Sequence, residues 1–329
     1  MRAPWPEGFV RVPDEEWTHA DLDGLALKYD TVENHGWYRN LEPTLDELAA
    51  YLRDGMLLAD YSGGTGILLD RLLHRLPDAQ VGYLLVDSSP KFLRLALEKL
   101  GKEPRTAFRL IQFLKAEKRL ELLEEVLPPA VVGRLDGLVS TNAVHLYYDL
   151  GDTLRSWHRA VRPGGRVFVQ SGNIANPDAA AGTWIIDATV DHIDAVARTL
   201  VAEDAAYAPF RGALADAPRL AKYAALREKF FLPVRPLAFY LGELTGAGFA
   251  VEKVVARSIE ASVADWYEFL AAYHEGVLGW AGGSRRVDGA DPDEPTVALR
   301  LRLMRAALDR IFEDRPTFQA SWTYITATR

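Results

Sequence analysis

Two carboxylates and a run of small residues stand out as able to do chemistry. They lie in Asp60-Tyr61-Ser62-Gly63-Gly64-Thr65-Gly66 and at Asp87, which closes the apolar run Val81-Gly82-Tyr83-Leu84-Leu85-Val86. Gly64 and Gly66 let a backbone approach a ligand closely and tolerate positive φ. The apolar stretch that follows, Ile67-Leu68-Leu69-Asp70-Arg71-Leu72, reads as a helix. Its first amides would point at whatever occupies the turn. An acid at the end of the neighbouring strand can accept hydrogen bonds from two ribose hydroxyls. Ligands of open α/β sheets bind at that edge. The chemistry is therefore nucleoside binding.

A nicotinamide dinucleotide fingerprint, Gly-x-Gly-x-x-Gly, is the competing pattern. Counted from Gly64 it requires a third glycine where Leu69 stands. The run 60–66 instead resembles motif I of the class I S-adenosylmethionine-dependent methyltransferases, acidic-x-Gly-x-Gly-x-Gly, with Ser62 in place of the first glycine. Two further segments extend the likeness. Leu135 to Leu146 is similar to the family's fourth strand and its loop. Leu154 to Val169, with Pro163-Gly164-Gly165 inside it, is similar to the helix, turn and fifth strand.

The resemblance implies a doubly wound, mostly parallel seven-stranded sheet. It also implies S-adenosylmethionine as cofactor and S-adenosylhomocysteine as product. It has Asp60 organise the glycine loop or the methionine amine, directly or through water, has Ser62, Gly63, Gly64 and Gly66 bind the cofactor, and puts Asp87 on the ribose and Ser88 and Glu117 near the adenine. Asn142 would line the methionine half and the acceptor. Tyr29, Tyr38 and Arg39 would fold over the cofactor. His145, three residues beyond Asn142, is the candidate base for an acceptor hydroxyl or amine. Tyr147 and Tyr148 read as packing residues. Trp184, His192, Tyr207 and Phe210 are candidates for an acceptor pocket or for simple core.

The elements that must position these residues follow from periodicity. The pair Thr44 and Glu47 has the spacing of a capping box opening a helix to about residue 53. Strands are expected near 57–61, 81–86, 106–114, 135–140, 166–171, 249–259 and 321–328. Helices are expected at 90–100, 120–126, 236–247, 263–280 and 295–314. Residues 177–232 are alanine-rich and helical in period, with starts near Pro177 and Pro218. The expected organisation is a core of residues 1–176, 233–260 and 316–329, with 1–40 as a lid. Insertions 177–232 and 261–315 would form a helical substrate cap, or alternatively a homodimer surface.

The bulk of the chain bounds its partners. Its 329 residues are 49% hydrophobic and 26% charged, as in ordinary globular proteins. A net charge of −8 argues against holding nucleic acid by phosphate neutralisation. The basic cluster between Lys99 and Arg119 reads as a solvated face. There is no cysteine, so disulfides and thiolate chemistry are excluded. The scattered histidines offer no metal set. No apolar run reaches membrane-spanning length, and a cytoplasmic location is expected. The expected substrate is a small, largely apolar molecule. The alternatives are a protein acceptor and a non-catalytic module that retains the nucleoside.

Overall fold

The computed structural model describes residues 4–22 and 36–329, without the side chain of Trp37. Seven strands make one sheet: β1 Leu57–Tyr61, β2 Gly82–Asp87, β3 Thr106–Leu110, β4 Leu135–Thr141, β5 Val161–Ser171, β6 Ala250–Ser262 and β7 Thr317–Thr328. Their order is β6-β7-β5-β4-β1-β2-β3. Only β7 runs against its neighbours. Every residue of β1 and β2 is buried, as strands covered on both faces must be.

Helices α1 Glu42–Tyr51, α2 Ile67–Arg75 and α3 Pro90–Leu100 contribute to one apolar layer, and α4 Leu150–Ala160 to the other. Beyond β5 come α5 Thr189–Glu203, α6 Ala217–Phe230, α7 Leu237–Gly246, α8 Val263–Ala272 and α9 Glu294–Phe312. Helix α7 packs with α4. The helices of both insertions pack together, and their core is continuous with that of α1, α2 and α3.

Several expectations change. The capping box at Thr44 does not form: the helix already begins at Glu42, continuing a 3₁₀ turn, and Pro43 occupies its first turn, where no amide is needed. Glu47 instead accepts from Thr326 Oγ1 at 2.9 Å and pairs with Lys253. Strand β3 stops at Leu110, because Phe113–Leu114 and Arg119–Leu120 turn away as a separate hairpin. Only Leu123–Val126 of the expected 120–126 helix is helical. No helix starts at Pro177. That segment is held in irregular form, with Ile174 paired to Arg235 and Trp184 bridged to Ala320.

Residues 4–22 do not reach over the sheet's ligand edge. They seal its far side, where Phe108 N donates to Arg11 O at 2.9 Å and Arg11 reaches the carbonyls of Glu103 and Thr106. Part of the Lys99–Arg119 cluster belongs to this seal and is not a solvated face. The buried Arg109 donates to the carbonyls of Val10 and Phe108, with Phe9 under its guanidinium. Such cover blunts an edge strand that would otherwise expose unpaired amides.

Candidate functional site

Parallel pairing of Asp60 with Leu85 and Tyr61 with Val86 brings the ends of β1 and β2 side by side. The chain then folds across the end of β2: the amides of Ser62 and Gly63 both donate to Val86 O, at 2.7 and 3.1 Å. Gly66, at φ +81°, starts α2. A Cβ there would stand 2.9 Å from Leu100 Cδ1, so both the left-handed backbone and the packing require glycine.

Asp87 is anchored on both oxygens. Its Oδ2 accepts from Gly64 N at 2.8 Å and its Oδ1 from Ser89 N at 2.7 Å. Burial raises its carboxyl above the usual range, and these amides oppose that rise. Asp87 lines the cavity, and a carboxylate oxygen can accept more than one hydrogen bond.

Asp60 is different. It is fully buried, neither oxygen has a hydrogen-bond partner, and it lies beneath the loop, not in the cavity wall. A Cβ on Gly63 would be 2.7 Å from its Oδ2, so that glycine is what lets the loop rest on the carboxyl. Burial first, and the charge of Asp87 second, push Asp60 up to about 8.

The cavity holds about 780 Å³ at the carboxyl ends of β1, β2 and β4. Ser62 and Gly64, Asp87 and Ser88, and Asn142 all face it. One wall is the 113–122 hairpin; the other is the segment 142–153. Three of the five non-glycine residues with positive φ among the described residues, Ser62, Lys118 and Asn142, line it. Strained backbone concentrates at functional sites. Asn142 is held there by its Oδ1, which accepts from Gln170 Nε2 at 3.1 Å and Trp322 Nε1 at 2.9 Å.

Other expected residues lie elsewhere. Glu117 sits at the hairpin tip, paired with Arg119, and its neighbours Lys118 and Arg119 line the cavity instead. Tyr38 is buried in the core and Arg39 is exposed; neither lines the cavity. Tyr29 lies outside the described residues. Tyr207 and Phe210 are core, and Trp184 packs edge-on against His192 and Phe312. No described residue of either insertion reaches the cavity wall.

His145 is turned away from the cavity. Its Nδ1 lies 3.0 Å from Ser171 Oγ, and its Nε2 lies 3.6 Å from Asp187 Oδ2 in the first insertion. Burial lowers its pKa to about 4 and raises that of Asp187 to about 6. The near-neutral histidine expected of a base is therefore not found. Tyr147 is more than the packing residue expected. It lines the cavity, and its hydroxyl meets Ser140 Oγ at 2.7 Å and Ser62 Oγ at 3.1 Å.

Residues 59–167 match the family described as a methyltransferase domain. Over this segment the chain is similar to methyltransferase domains. Solved structures of similar fold are also found. The YcgJ protein of Bacillus subtilis is similar with a TM-score of 0.50 at 12% identity, over 89% of this chain and 98% of that one. Two other similar structures are phosphoethanolamine N-methyltransferase 2 of Haemonchus contortus and a methyltransferase-like protein of Bacillus halodurans. The first has a TM-score of 0.48 at 14% identity and 92% coverage of this chain; the chain spans only 56% of that enzyme's length. The second has a TM-score of 0.49 at 15% identity, covering 87% of this chain and 97% of its own. No curated protein matches the chain. Among the described residues no helix is long and apolar enough to cross a membrane.

Proposed function

We propose that the domain transfers the methyl group of S-adenosylmethionine to a small, largely apolar acceptor. The observation that carries this reading is Asp87, which lines the cavity with both oxygens fixed by loop amides and is an acceptor suited to a ribose diol. When bound, the cofactor supplies a methyl group already activated on a sulfonium. The protein's task is then alignment and exclusion of water.

Asp87 and Gly64 would hold the ribose end. Asp60 supports the same fit from beneath, because Gly63 alone lets the loop settle on its buried carboxyl. Asn142, fixed by Gln170 and Trp322, would face the reacting end.

The acceptor is best accommodated by the cavity's rim. Phe113, Leu120, Leu146 and Tyr148 are 58%, 37%, 53% and 96% exposed. They are four of the five exposed large hydrophobic residues among those described, and all four line this cavity. Apolar surface left open around a pocket marks a ligand face. The rim, not the helical insertions, would therefore select the acceptor.

Calorimetry with S-adenosylhomocysteine tests the reading. Saturable binding in the micromolar range is expected. Asp87→Ala should weaken it about tenfold or more, since a hydrogen bond to a charged group contributes about 1.5–3 kcal/mol. Absence of binding by the wild-type protein would remove the proposal. Binding without methyl transfer to any component of a small-molecule extract would indicate the non-catalytic module.

A further inference from the structure

Ser62 stands where the family pattern has glycine, and its backbone is left-handed at φ +61°. An L-residue adopts that conformation only against a steric penalty. The hydroxyl of Tyr147 donates to Ser62 Oγ at 3.1 Å. The same hydroxyl lies 2.7 Å from Ser140 Oγ, where either group can donate, and 3.5 Å from the carbonyl oxygen of Tyr61. The result is a chain of hydroxyl contacts from β4, through Tyr147, to the glycine loop. The Tyr147 ring cannot swing aside easily. Tyr61 and Trp157 meet it edge-on, with centroids 5.6 and 5.8 Å away.

We propose that Tyr147 is a positioning residue that pins the cofactor loop through Ser62, and that this strut takes the place of the missing glycine. It joins the two sides of the cavity. The segment that carries Tyr147 also carries Leu146 and Tyr148 on the acceptor side, while Ser62 and Gly64 form the cofactor side. The two loops therefore move together, and a ligand that tightens one tightens the other. The consequence for cofactor affinity rests on the proposed function; the strut itself does not.

Amide hydrogen exchange of ligand-free protein tests the strut directly, in Tyr147→Phe, Ser62→Gly and the double variant. Tyr147→Phe should speed exchange at Ser62, Gly63 and Gly64 about tenfold, equivalent to ~1.4 kcal/mol of local opening. Ser62→Gly should stay within about threefold of wild type, because glycine holds the left-handed turn unaided. The double variant should return to within about threefold of wild type. Wild-type exchange in Tyr147→Phe, a double variant as fast as Tyr147→Phe, or acceleration spread evenly to Val86 and Leu138 would overturn the strut. S-adenosylhomocysteine affinities should follow the same order. If exchange follows it but the wild-type protein binds no S-adenosylhomocysteine, the strut stands and the proposed function falls. If affinity drops in Tyr147→Phe while loop exchange is unchanged, Tyr147 touches ligand directly and the strut is wrong.

Discussion

His145 and Asp187 show how a pair of residues can hide its own titration. Burial favours the neutral form of each, with the imidazole near 4 and the carboxyl near 6. Between about pH 4 and 6 the unfolded chain carries both groups charged and the folded chain carries both neutral. The proton count is the same, so the intact pair adds little pH dependence to stability. Breaking it should expose opposite slopes. In Asp187→Asn, His145 remains. The unfolded state then binds its proton below about 6.5 and the folded state only below about 4, so stability should fall as pH drops through that window. In His145→Gln, Asp187 remains. The unfolded state ionises near 4 and the folded state near 6, so stability should fall as pH rises from about 4 to 6. Each effect is at most about 3 kcal/mol, because the side chains are 11% and 20% exposed. Urea unfolding across this range is the measurement. Two variants that both track the wild-type curve would mean ordinary pKa values at these sites.

At the scale of elements, the same substitution should have opposite effects in two helices. Gly66→Ala at the start of α2 meets a left-handed backbone and Leu100, so it should cost roughly 2–4 kcal/mol. Gly242→Ala inside α7 meets nothing within 4 Å, so it should stabilise by about 0.5–1 kcal/mol. Thermal unfolding of both variants checks the pair; equal signs would contradict the local geometry. Gly66 was legible because its strand, turn and helix are contiguous in sequence. Asp87 was legible for the same reason: it ends a strand one helix later. What the sequence hid depends on distant partners. Ser62 needs Tyr147, Asn142 needs Gln170 and Trp322, and His145 needs Asp187. Apolar patterning also misled where it serves a ligand face and not a core: Phe113 and Leu120 read as strand and helix but are exposed on the cavity's hairpin wall. Proline overrode a good capping pattern at Thr44.

At the scale of the molecule, the two insertions are one body and not two flaps. Trp266 Nε1, from the second, donates to Thr189 Oγ1 in the first at 2.9 Å, and Trp280 Nε1 reaches Asp194 Oδ1 at 2.7 Å. Ile193, Trp280 and Leu303 lie in the same buried cluster as Leu48, Leu69 and Phe108 of the sheet layer. A hinged lid needs a weak seam, and a continuous apolar core does not provide one. The expected behaviour is therefore a single cooperative transition. Tryptophan fluorescence, dominated by reporters such as Trp266 and Trp280 on the insertions and Trp157 on α4, should coincide with loss of far-ultraviolet ellipticity. Leu303→Ala deletes a fully buried side chain of α9 and should cost about 2–5 kcal/mol. That loss should lower the one midpoint for both signals together, even though Leu303 lies in the insertion and far along the chain from the glycine loop. If the variant instead split the melt, with fluorescence leading ellipticity, the insertions would be an independently unfolding unit. Cofactor-linked opening of that unit would then become the better account of how acceptor enters.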